Sequence, residues 1–293
     1  MLVDNMYIAP GILVIELWKR GYFMTGILNI QLKPAIGKKD VNLKKVEYYI
    51  SKNSDKKLDL VVIPEFFSTG VDHQSFLNAP EDEFGGETVK FISELAKKYK
   101  TNIVAGTVIE KSQDKLYNTS FVINRDGEVV EKYRKIHLYN YMGGTEGDRI
   151  TPGDKYITAD LDFGKIGIGI CFDIRYPQHY RKLAQMGAEI IVLPTAWLVP
   201  TEIYEDSESK QYAQEMWVAM NRTRAYDNMV YIVSSNQAGK INDNISGLGA
   251  SLIVAPTAQI LADAKDEQGA VYADVDLDGA KYLRSLYPIT SIE

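Results

Sequence analysis

The segment KIGIGICFDIRYP, residues 165–177, places the single cysteine of the chain directly after a short apolar strand. Its glycines lie inside the strand and not between a strand and a helix, so the segment does not match a dinucleotide-binding fingerprint. Pro177 stands at a position favoured in the first turn of a helix. A lone cysteine is usually an inert core residue. At a junction between a strand and a turn, however, Cys171 can be presented as a nucleophile with backbone N–H groups near it.

Short apolar runs rich in β-branched residues recur along the chain and are typical of buried strands. They lie at residues 26–30, 58–63, 102–108, 119–123, 166–170, 190–193, 230–234 and 251–254. Helical periodicity predicts helices over Glu87–Tyr99, Pro177–Met186 and Glu208–Asp227. No linker or internal repeat divides this pattern. We therefore expect a single α/β domain over residues 24–293, with helices covering the faces of sheets.

Residues 1–23 form an N-terminal extension to this domain. Its apolar run, Ile8–Trp18, is interrupted by proline, glycine and glutamate and is shorter than the roughly 20 residues that span a bilayer. It also lacks the basic segment and the cleavage site of a signal peptide. The codons of residues 19–21 can form a purine-rich run resembling a ribosome-binding site. We therefore hypothesise that translation starts at Met24, which the intact mass of the natively expressed protein would test.

Composition restricts the class of protein. Of the 293 residues, 45% are hydrophobic and 25% are charged, which is typical of a soluble globular protein with a large core. The 33 Lys and Arg are outnumbered by 39 Asp and Glu, whereas a nucleic-acid binder usually carries a basic excess. One cysteine implies no oxidising compartment, so we expect a cytoplasmic protein without nucleic-acid or membrane partners. The three histidines show no metal-ligand spacing, and we expect no metal or other cofactor.

Two charged side chains stand in or directly after segments that read as strands. Glu65 comes directly after such a run in VVIPEFFSTG, residues 61–70, and Lys135 lies in the alternating stretch EKYRKIHL, residues 131–138. Taken singly, each is typical of an ordinary strand end or an exposed edge strand. A partly buried Glu65 would have a raised pKa suited to proton transfer. An inward-facing lysine would provide a fixed cation beside a developing oxyanion.

Taken together, these segments resemble the three signatures of the nitrilase superfamily of carbon–nitrogen hydrolases. VIPE with Glu65, YRKIHL with Lys135 and GICFDIRYP with Cys171 occur in the family's order. The resemblance runs from about residue 25 to about residue 288. Further matches are PTAW ending at Trp197, RTRAYDN with Arg224 and Asn228, and GASLIVAP around Ser251. The resemblance implies a four-layer αββα sandwich and a Glu–Lys–Cys triad.

The resemblance also implies a second glutamate in the loop after the lysine, which corresponds to Glu146 in TEGDRITPG. In the implied reaction Cys171 attacks an amide carbonyl while Glu65 takes the thiol proton. Lys135 and the backbone N–H of Phe172 hold the oxyanion, Glu146 orients the lysine, and water cleaves the resulting thioester. From the residues alone, a cysteine–histidine pair with His137 or His179 is the alternative.

The residues after the cysteine narrow the substrate class. Nitrile hydrolysers of this superfamily usually carry Trp-Glu there, whereas Phe172-Asp173 resembles the amidase and ω-amidase side. We expect a small ω-amido acid as substrate, with N-carbamoyl amines or amino acids as the alternative. A noncatalytic scaffold member is an alternative of another class, and acyl transfer to an acceptor other than water is a third possibility.

Two residues are candidates for substrate binding. Arg175 could bind a substrate carboxylate through its bidentate guanidinium, or form a structural salt bridge with an acidic neighbour. Trp197 is the second candidate. The superfamily commonly forms homodimers or higher homo-oligomers. The Met and aromatic residues of Glu208–Asp227 are first expected to pack in the core, but they also fit an interface, as does the segment Tyr282–Pro288.

Overall fold

A computed structural model describes residues 24–71, 80–141 and 143–289 of the chain. The N-terminal extension, residues 1–23, lies outside the described residues, so the hypothesis of a translation start at Met24 stays a prediction. In the described ranges, no helix combines the length and the apolar character that crossing a membrane requires.

The first sheet is built mainly from the N-terminal half of the chain. Its strands follow the order β17-β1-β2-β4-β6-β5-β3, with β7 paired to β6. They are β1 (Thr25–Gln31), β2 (Leu60–Val62), β3 (Glu81–Asp82), β4 (Asn102–Val104), β5 (Val108–Ser112), β6 (Lys115–Ile123), β7 (Val129–Arg134) and β17 (Gly269–Val275). Two helices accompany this sheet, α1 (Lys39–Lys52) and α2 (Glu87–Tyr99).

The second sheet is built from the C-terminal half. Its order is β16-β15-β12-β10-β9-β8, formed by β8 (Thr158–Leu161), β9 (Gly164–Ile168), β10 (Ile190–Pro194), β12 (Tyr231–Ser235), β15 (Leu252–Val254) and β16 (Ile260–Asp263). A small third sheet contains β11 (Leu198–Pro200), β13 (Ala238–Lys240) and β14 (Ile245–Leu248). The helices of this half are α3 (Pro177–Gln185), α4 (Thr201–Glu205), α5 (Ser207–Asn228) and α6 (Leu277–Leu286).

Three apolar interfaces stack these elements into four layers. Inward-facing side chains of the two sheets, among them Val62 and Val192, form the central interface. The outer face of the first sheet packs on α1 and α2, and that of the second sheet packs on α3 and α5. Trp217 of α5 is fully buried there, and its indole N–H donates to the carbonyl of Ala250 at 2.9 Å. The predicted four-layer αββα sandwich is confirmed.

The central strands of both sheets are parallel, so the loops that follow them lie at one edge of each sheet. Strands β1, β2 and β4 run parallel in the first sheet, as do β9, β10 and β12 in the second. The loops after β2 and β10 meet, because the backbone N–H of Ala196 donates to Glu65 at 2.9 Å. In open parallel sheets, ligands commonly bind at the carboxyl ends of the strands.

The structure corrects one predicted strand. Residues 102–108 were expected to be continuous, but β4 ends at Val104 and β5 begins at Val108. Gly106 lies between them with φ +48°, a conformation that residues with a side chain rarely adopt. A Cβ atom at this position would lie 2.2 Å from the carbonyl oxygen of Pro64. The glycine therefore allows the chain to turn closely beneath the loop that carries Glu65.

The core-packing expectation for the helix over residues 208–227 is only partly correct. Trp217 is buried and Met220 packs against the core. By contrast, Tyr212, Met216 and Tyr226 are exposed, with relative accessibilities of 65%, 46% and 54%. Helix α5 therefore presents an aromatic outer face to its surroundings.

Candidate active site

Four predicted side chains converge from separate strand ends and one loop. Glu65 follows β2, Lys135 follows β7, and Cys171 follows β9. Glu146 begins a short 3-10 helix in the loop between β7 and β8. These residues are as much as 106 positions apart in sequence, from 65 to 171. The sandwich brings them to the end at which the loops after β2 and β10 meet.

Lys135 lies between the two glutamates. Its Nζ is 3.0 Å from Oε1 of Glu65 and 2.8 Å from Oε2 of Glu146. The side chains of Lys135 and Glu65 are only 2% and 1% exposed, and that of Glu146 is 11% exposed. A buried charge without partners would be strongly destabilising, so each of these charges depends on the others.

This arrangement changes the proton affinities of the group. Burial alone would lower the pKa of Lys135, but the charges of Glu146 and Glu65 outweigh it and hold that pKa well above its usual value. For Glu65, burial is the largest effect and raises its pKa, with Glu146 adding to the rise and Lys135 opposing it. The lysine therefore stays charged, while Glu65 becomes a better proton acceptor.

Cys171 sits at a strained position in the turn after β9. Its φ is +44°, which is uncommon for a residue with a side chain, and it opens a 3-10 helix over Cys171–Arg175. Such strain is often found where a nucleophile is presented. Burial and the charge of Glu65 raise the pKa of the Cys171 thiol well above its usual value, although Lys135 and the N–H of Ala196 oppose the rise. The resting sulfur is therefore a thiol, and it needs a base to become a nucleophile.

Phe172 follows the cysteine in the first turn of the same 3-10 helix. Backbone N–H groups in a first turn have no partner within the helix and are available to an oxyanion. The Phe172 ring contacts the rings of Tyr139 and Tyr141, with centroids 5.2 and 5.7 Å apart. The N–H of Tyr139 in turn donates to Oε2 of Glu146 at 2.8 Å.

Asp173 connects the turn of Cys171 to the strand that carries Lys135. Its Oδ2 accepts from the Tyr133 hydroxyl at 2.7 Å and from the N–H of Ile170 at 2.8 Å. Its Oδ1 accepts from the backbone N–H of His137 at 3.1 Å and contacts Nδ1 of the same residue at 2.6 Å. Burial would raise the pKa of Asp173, but these bonds and the nearby His179 hold it below its usual value.

Neither described histidine replaces Glu65 as a partner of the thiol. His137 pairs with Asp173 and stacks on Tyr176 with ring centroids 3.6 Å apart. His179 contacts the carbonyl of Ile168 through Nε2 at 3.1 Å. Ligand-type atoms of His137, Asp173 and His179 lie within 4.8 Å of one another. However, protein groups already occupy both oxygens of Asp173, so we interpret the cluster as hydrogen-bonded support for the cysteine turn.

The two predicted substrate-binding residues lie in different environments. Arg175 is exposed on the 3-10 helix, and no carboxylate of the described residues forms an ion pair with it. It lies near a second cation, since its charge adds to burial in lowering the pKa of Arg224. Trp197 is half-buried, and its ring lies 5.0 Å from that of Trp217. The backbone N–H of Trp197 donates to Oδ1 of Asn236 at 2.8 Å. The preceding residue is Ala196, whose backbone N–H donates to Glu65.

Sequence analysis missed Asn118, Tyr133 and the Ala196 N–H. Asn118 is fully buried on β6 and donates to both glutamates, at 2.8 Å to Glu65 and 2.9 Å to Glu146. An asparagine within the apolar stretch LYNTSFVI was the available signal, because buried polar side chains need partners. Which partners it would have was not readable from the sequence.

Comparisons with known proteins identify the family of the chain. A family model described as carbon–nitrogen hydrolase matches residues 29–285. The chain is 30% identical to the omega-amidase NIT3 of Saccharomyces cerevisiae, covering 89% of this chain and 90% of that protein. It is 31% identical to the 2-oxoglutaramate amidase of Bacillus subtilis, covering 89% and 94%.

Solved structures show the same fold. The crystal structure of Saccharomyces cerevisiae Nit3, a member of the nitrilase superfamily, matches with a TM-score of 0.80 and 29% identity, covering 92% of this chain and 96% of that one. A carbon–nitrogen hydrolase from Helicobacter pylori matches with a TM-score of 0.82 and 25% identity, again covering 92% and 96%.

The Asp173 contacts predict that Tyr133→Phe destabilises the protein. The change removes the hydroxyl that donates to Asp173 and accepts from the Ile136 N–H at 3.1 Å. Urea denaturation should show a loss of about 1–3 kcal/mol in the free energy of unfolding. Tyr180→Phe is the matched control, because the Tyr180 hydroxyl is buried without a hydrogen-bond partner in the described structure. Equal losses in the two variants would contradict the role assigned to Tyr133.

Proposed function

The chain belongs to the carbon–nitrogen hydrolase family, and we propose that it is a cysteine-dependent amidase releasing ammonia from a small ω-amido acid. The observation that carries this proposal is the position of the Lys135 ammonium between Glu65 and Glu146, close to a thiol whose pKa burial and the Glu65 charge raise. That arrangement supplies a nucleophile, a base and a fixed cation within one buried site.

The first half of the reaction forms a thioester. The Cys171 sulfur attacks the amide carbonyl as Glu65 takes the thiol proton, because a thiol with a raised pKa is a poor nucleophile without a base. The oxyanion receives hydrogen bonds from Lys135 and from the N–H of Phe172. Glu65 then gives its proton to the departing nitrogen, so the C–N bond breaks with ammonia as the leaving group.

The second half hydrolyses the acyl-enzyme. Water approaches the thioester carbonyl and loses a proton to Glu65, and the same two donors hold the second oxyanion. Collapse of this intermediate releases the carboxylic acid, and the Cys171 sulfur regains its proton from Glu65. Glu146 keeps the Lys135 ammonium fixed throughout, through contacts of 2.8 and 3.1 Å.

The substrate class rests on the similar proteins and on Arg175. Two of the relatives are named an omega-amidase and a 2-oxoglutaramate amidase. We infer that this chain also acts on a short ω-amido acid such as 2-oxoglutaramate. Arg175 is exposed and forms no ion pair with a described carboxylate, so its guanidinium is available to the carboxylate end of such a substrate. The predicted cytoplasmic location fits this reaction and stays a prediction.

Removal of the nucleophile or the base should abolish ammonia release. We expect Cys171→Ala to reduce kcat/KM by roughly 10⁴-fold or more, as for the loss of other catalytic nucleophiles. Glu65→Gln should have a comparable effect, because the amide retains the shape but cannot take the proton. In the unmodified enzyme, kcat/KM should fall as pH falls through the raised pKa of Glu65, since protonation removes the base.

The assay is ammonia release from 2-oxoglutaramate, succinamate, glutaramate, an N-carbamoyl amine and simple amides. A preference for the carbamoyl compound would replace the proposed substrate class. Hydroxylamine competition during turnover would reveal acyl transfer. Absence of ammonia release together with pH-independent alkylation of Cys171 would indicate a noncatalytic scaffold and overturn the proposal.

Arg175→Ala tests recognition of the carboxylate. Loss of a charge-assisted bond of about 1.5–3 kcal/mol should lower kcat/KM for succinamate by roughly 10–100-fold. Butyramide, which has the same chain length without the carboxylate, serves as the control and should be affected little. An equal decrease for both amides would show that Arg175 does not bind the carboxylate.

We propose that the exposed aromatic faces pair two copies of the chain. Tyr212, Met216 and Tyr226 of α5 are exposed, as are Tyr282, Leu286 and Tyr287 at the C-terminal end of the described chain. Large exposed apolar surfaces commonly mark interfaces. Light scattering should therefore show a homodimer or a higher homo-oligomer, and Tyr226→Glu should shift it toward the monomer. Glu131→Gln, on the exposed part of β7, is the control and should leave the mass unchanged.

A further inference from the structure

On the basis of the function proposed above, we propose that Asn118 is a positioning residue that determines which oxygen of Glu65 receives the thiol proton. It occupies Oε1 of Glu65 together with Lys135 and leaves Oε2 to act as the base atom. Asn118 is part of none of the three sequence signatures, and it is fully buried.

The amide of Asn118 contacts both glutamates at once. Its Nδ2 lies 2.8 Å from Oε1 of Glu65 and 2.9 Å from Oε1 of Glu146. A side-chain amide nitrogen carries two hydrogens, so one is available for each carboxylate. The same residue is tied to the lysine through the backbone, because the N–H of Lys135 donates to the Asn118 carbonyl at 2.9 Å. Asn118 therefore fixes the two acids and the cation relative to one another.

The two oxygens of Glu65 differ in the donors they accept. Oε1 accepts from Asn118 and from Lys135, at 2.8 and 3.0 Å. Oε2 accepts from the N–H of Ala196 at 2.9 Å. Each carboxylate oxygen has about two lone-pair positions, so these contacts fill Oε1 and leave one position on Oε2. Oε2, the oxygen with the open position, is therefore the one we assign to the thiol proton.

Glu146 is fully occupied by comparison. Its Oε1 accepts from Asn118 and Lys135, and its Oε2 accepts from Lys135 and the N–H of Tyr139. No lone-pair position remains for the thiol proton. Of the two neighbouring carboxylates, only Glu65 retains an open position, and it does so on one oxygen.

The orientation of the Asn118 amide is determined by the same contacts. Its Oδ1 is buried and has no hydrogen-bond partner among the described residues. If the amide were rotated by 180°, Oδ1 would face the two carboxylates. All of these oxygens are acceptors, so no hydrogen bond would form. A buried unpaired carbonyl is unfavourable for folding. Its presence here indicates that the residue serves the arrangement of the site at a cost in stability.

This arrangement has a consequence for pH dependence. The groups that face Glu65 are the charges of Lys135 and Glu146, the thiol of Cys171, and the donors Asn118 and Ala196. Burial is the largest effect on the pKa of Glu65 and raises it, whereas the Asn118 hydrogen bond lowers it. Removing that bond should therefore raise the pKa of Glu65 further and make the base available only at higher pH.

The test compares the pH dependence of Cys171 alkylation by iodoacetamide in the full chain, before and after Asn118→Leu. The leucine is similar in volume but donates no hydrogen bond, and Asn118→Ala is the second variant. We expect the acid limb of the alkylation rate to move about one pH unit toward alkaline. The same shift should appear in kcat for ammonia release, with KM nearly unchanged. Thermal melting should show folded variants, because the unpaired Oδ1 is removed as well.

Ser120→Ala is the matched control. Ser120 lies two residues further along β6, on the same face, and its buried hydroxyl has no partner in the described ranges. In this variant, the acid limb of the Cys171 alkylation rate should stay at the pH found for the unmodified protein. An unshifted limb in both folded Asn118 variants would overturn the role of Asn118 while leaving the proposed function intact. If Glu65→Gln leaves the profile of the unmodified protein unchanged, Glu65 is not the base, and the proposed function fails with it.

Discussion

The site depends on one buried ammonium group held between two carboxylates. Lys135 would be strongly destabilising in a dry interior without Glu65 and Glu146, and each glutamate needs the lysine in return. These mutual requirements fix three side chains from three parts of the chain within 3.0 Å contacts. The thiol beside them stays protonated because burial and the Glu65 carboxylate raise the pKa of Cys171 well above its usual value, although the Lys135 cation opposes the rise.

The two halves of the sandwich contribute different parts of this site. The first sheet carries Glu65 and Lys135, and the second sheet carries Cys171. Asp173 connects the two sheets, because it accepts hydrogen bonds from Tyr133 of the first sheet and from Ile170, which follows β9 of the second. The distance between cation and sulfur is therefore controlled by packing of one sheet on the other and by this buried carboxylate. Loops alone would fix this distance less rigidly, because loop residues have fewer packed neighbours.

Much of the site was predictable because its residues lie in short signatures at strand ends. Glu65 and Cys171 each follow an apolar run, Lys135 lies in a stretch of alternating charged and apolar residues, and the loop sequence predicted Glu146. Asn118 was missed because its meaning depends on two partners that are 53 and 28 residues away. The continuous strand expected over residues 102–108 was wrong because Gly106 adopts a left-handed turn. A strand propensity does not reveal such a turn.

The sequence by itself determined the alternation of strands and helices and the identity of the charged and sulfur-bearing side chains, and the family resemblance of its motifs implied the four-layer architecture. Local patterns suffice for these features, because periodicity and short motifs are properties of neighbouring residues. Only the tertiary structure decided which oxygen of Glu65 stays open, which histidines pair with Asp173 and which face of α5 is exposed. Those features depend on hydrogen-bond donors and packed surfaces that come from distant parts of the chain, and their positions exist only once both sheets have packed together.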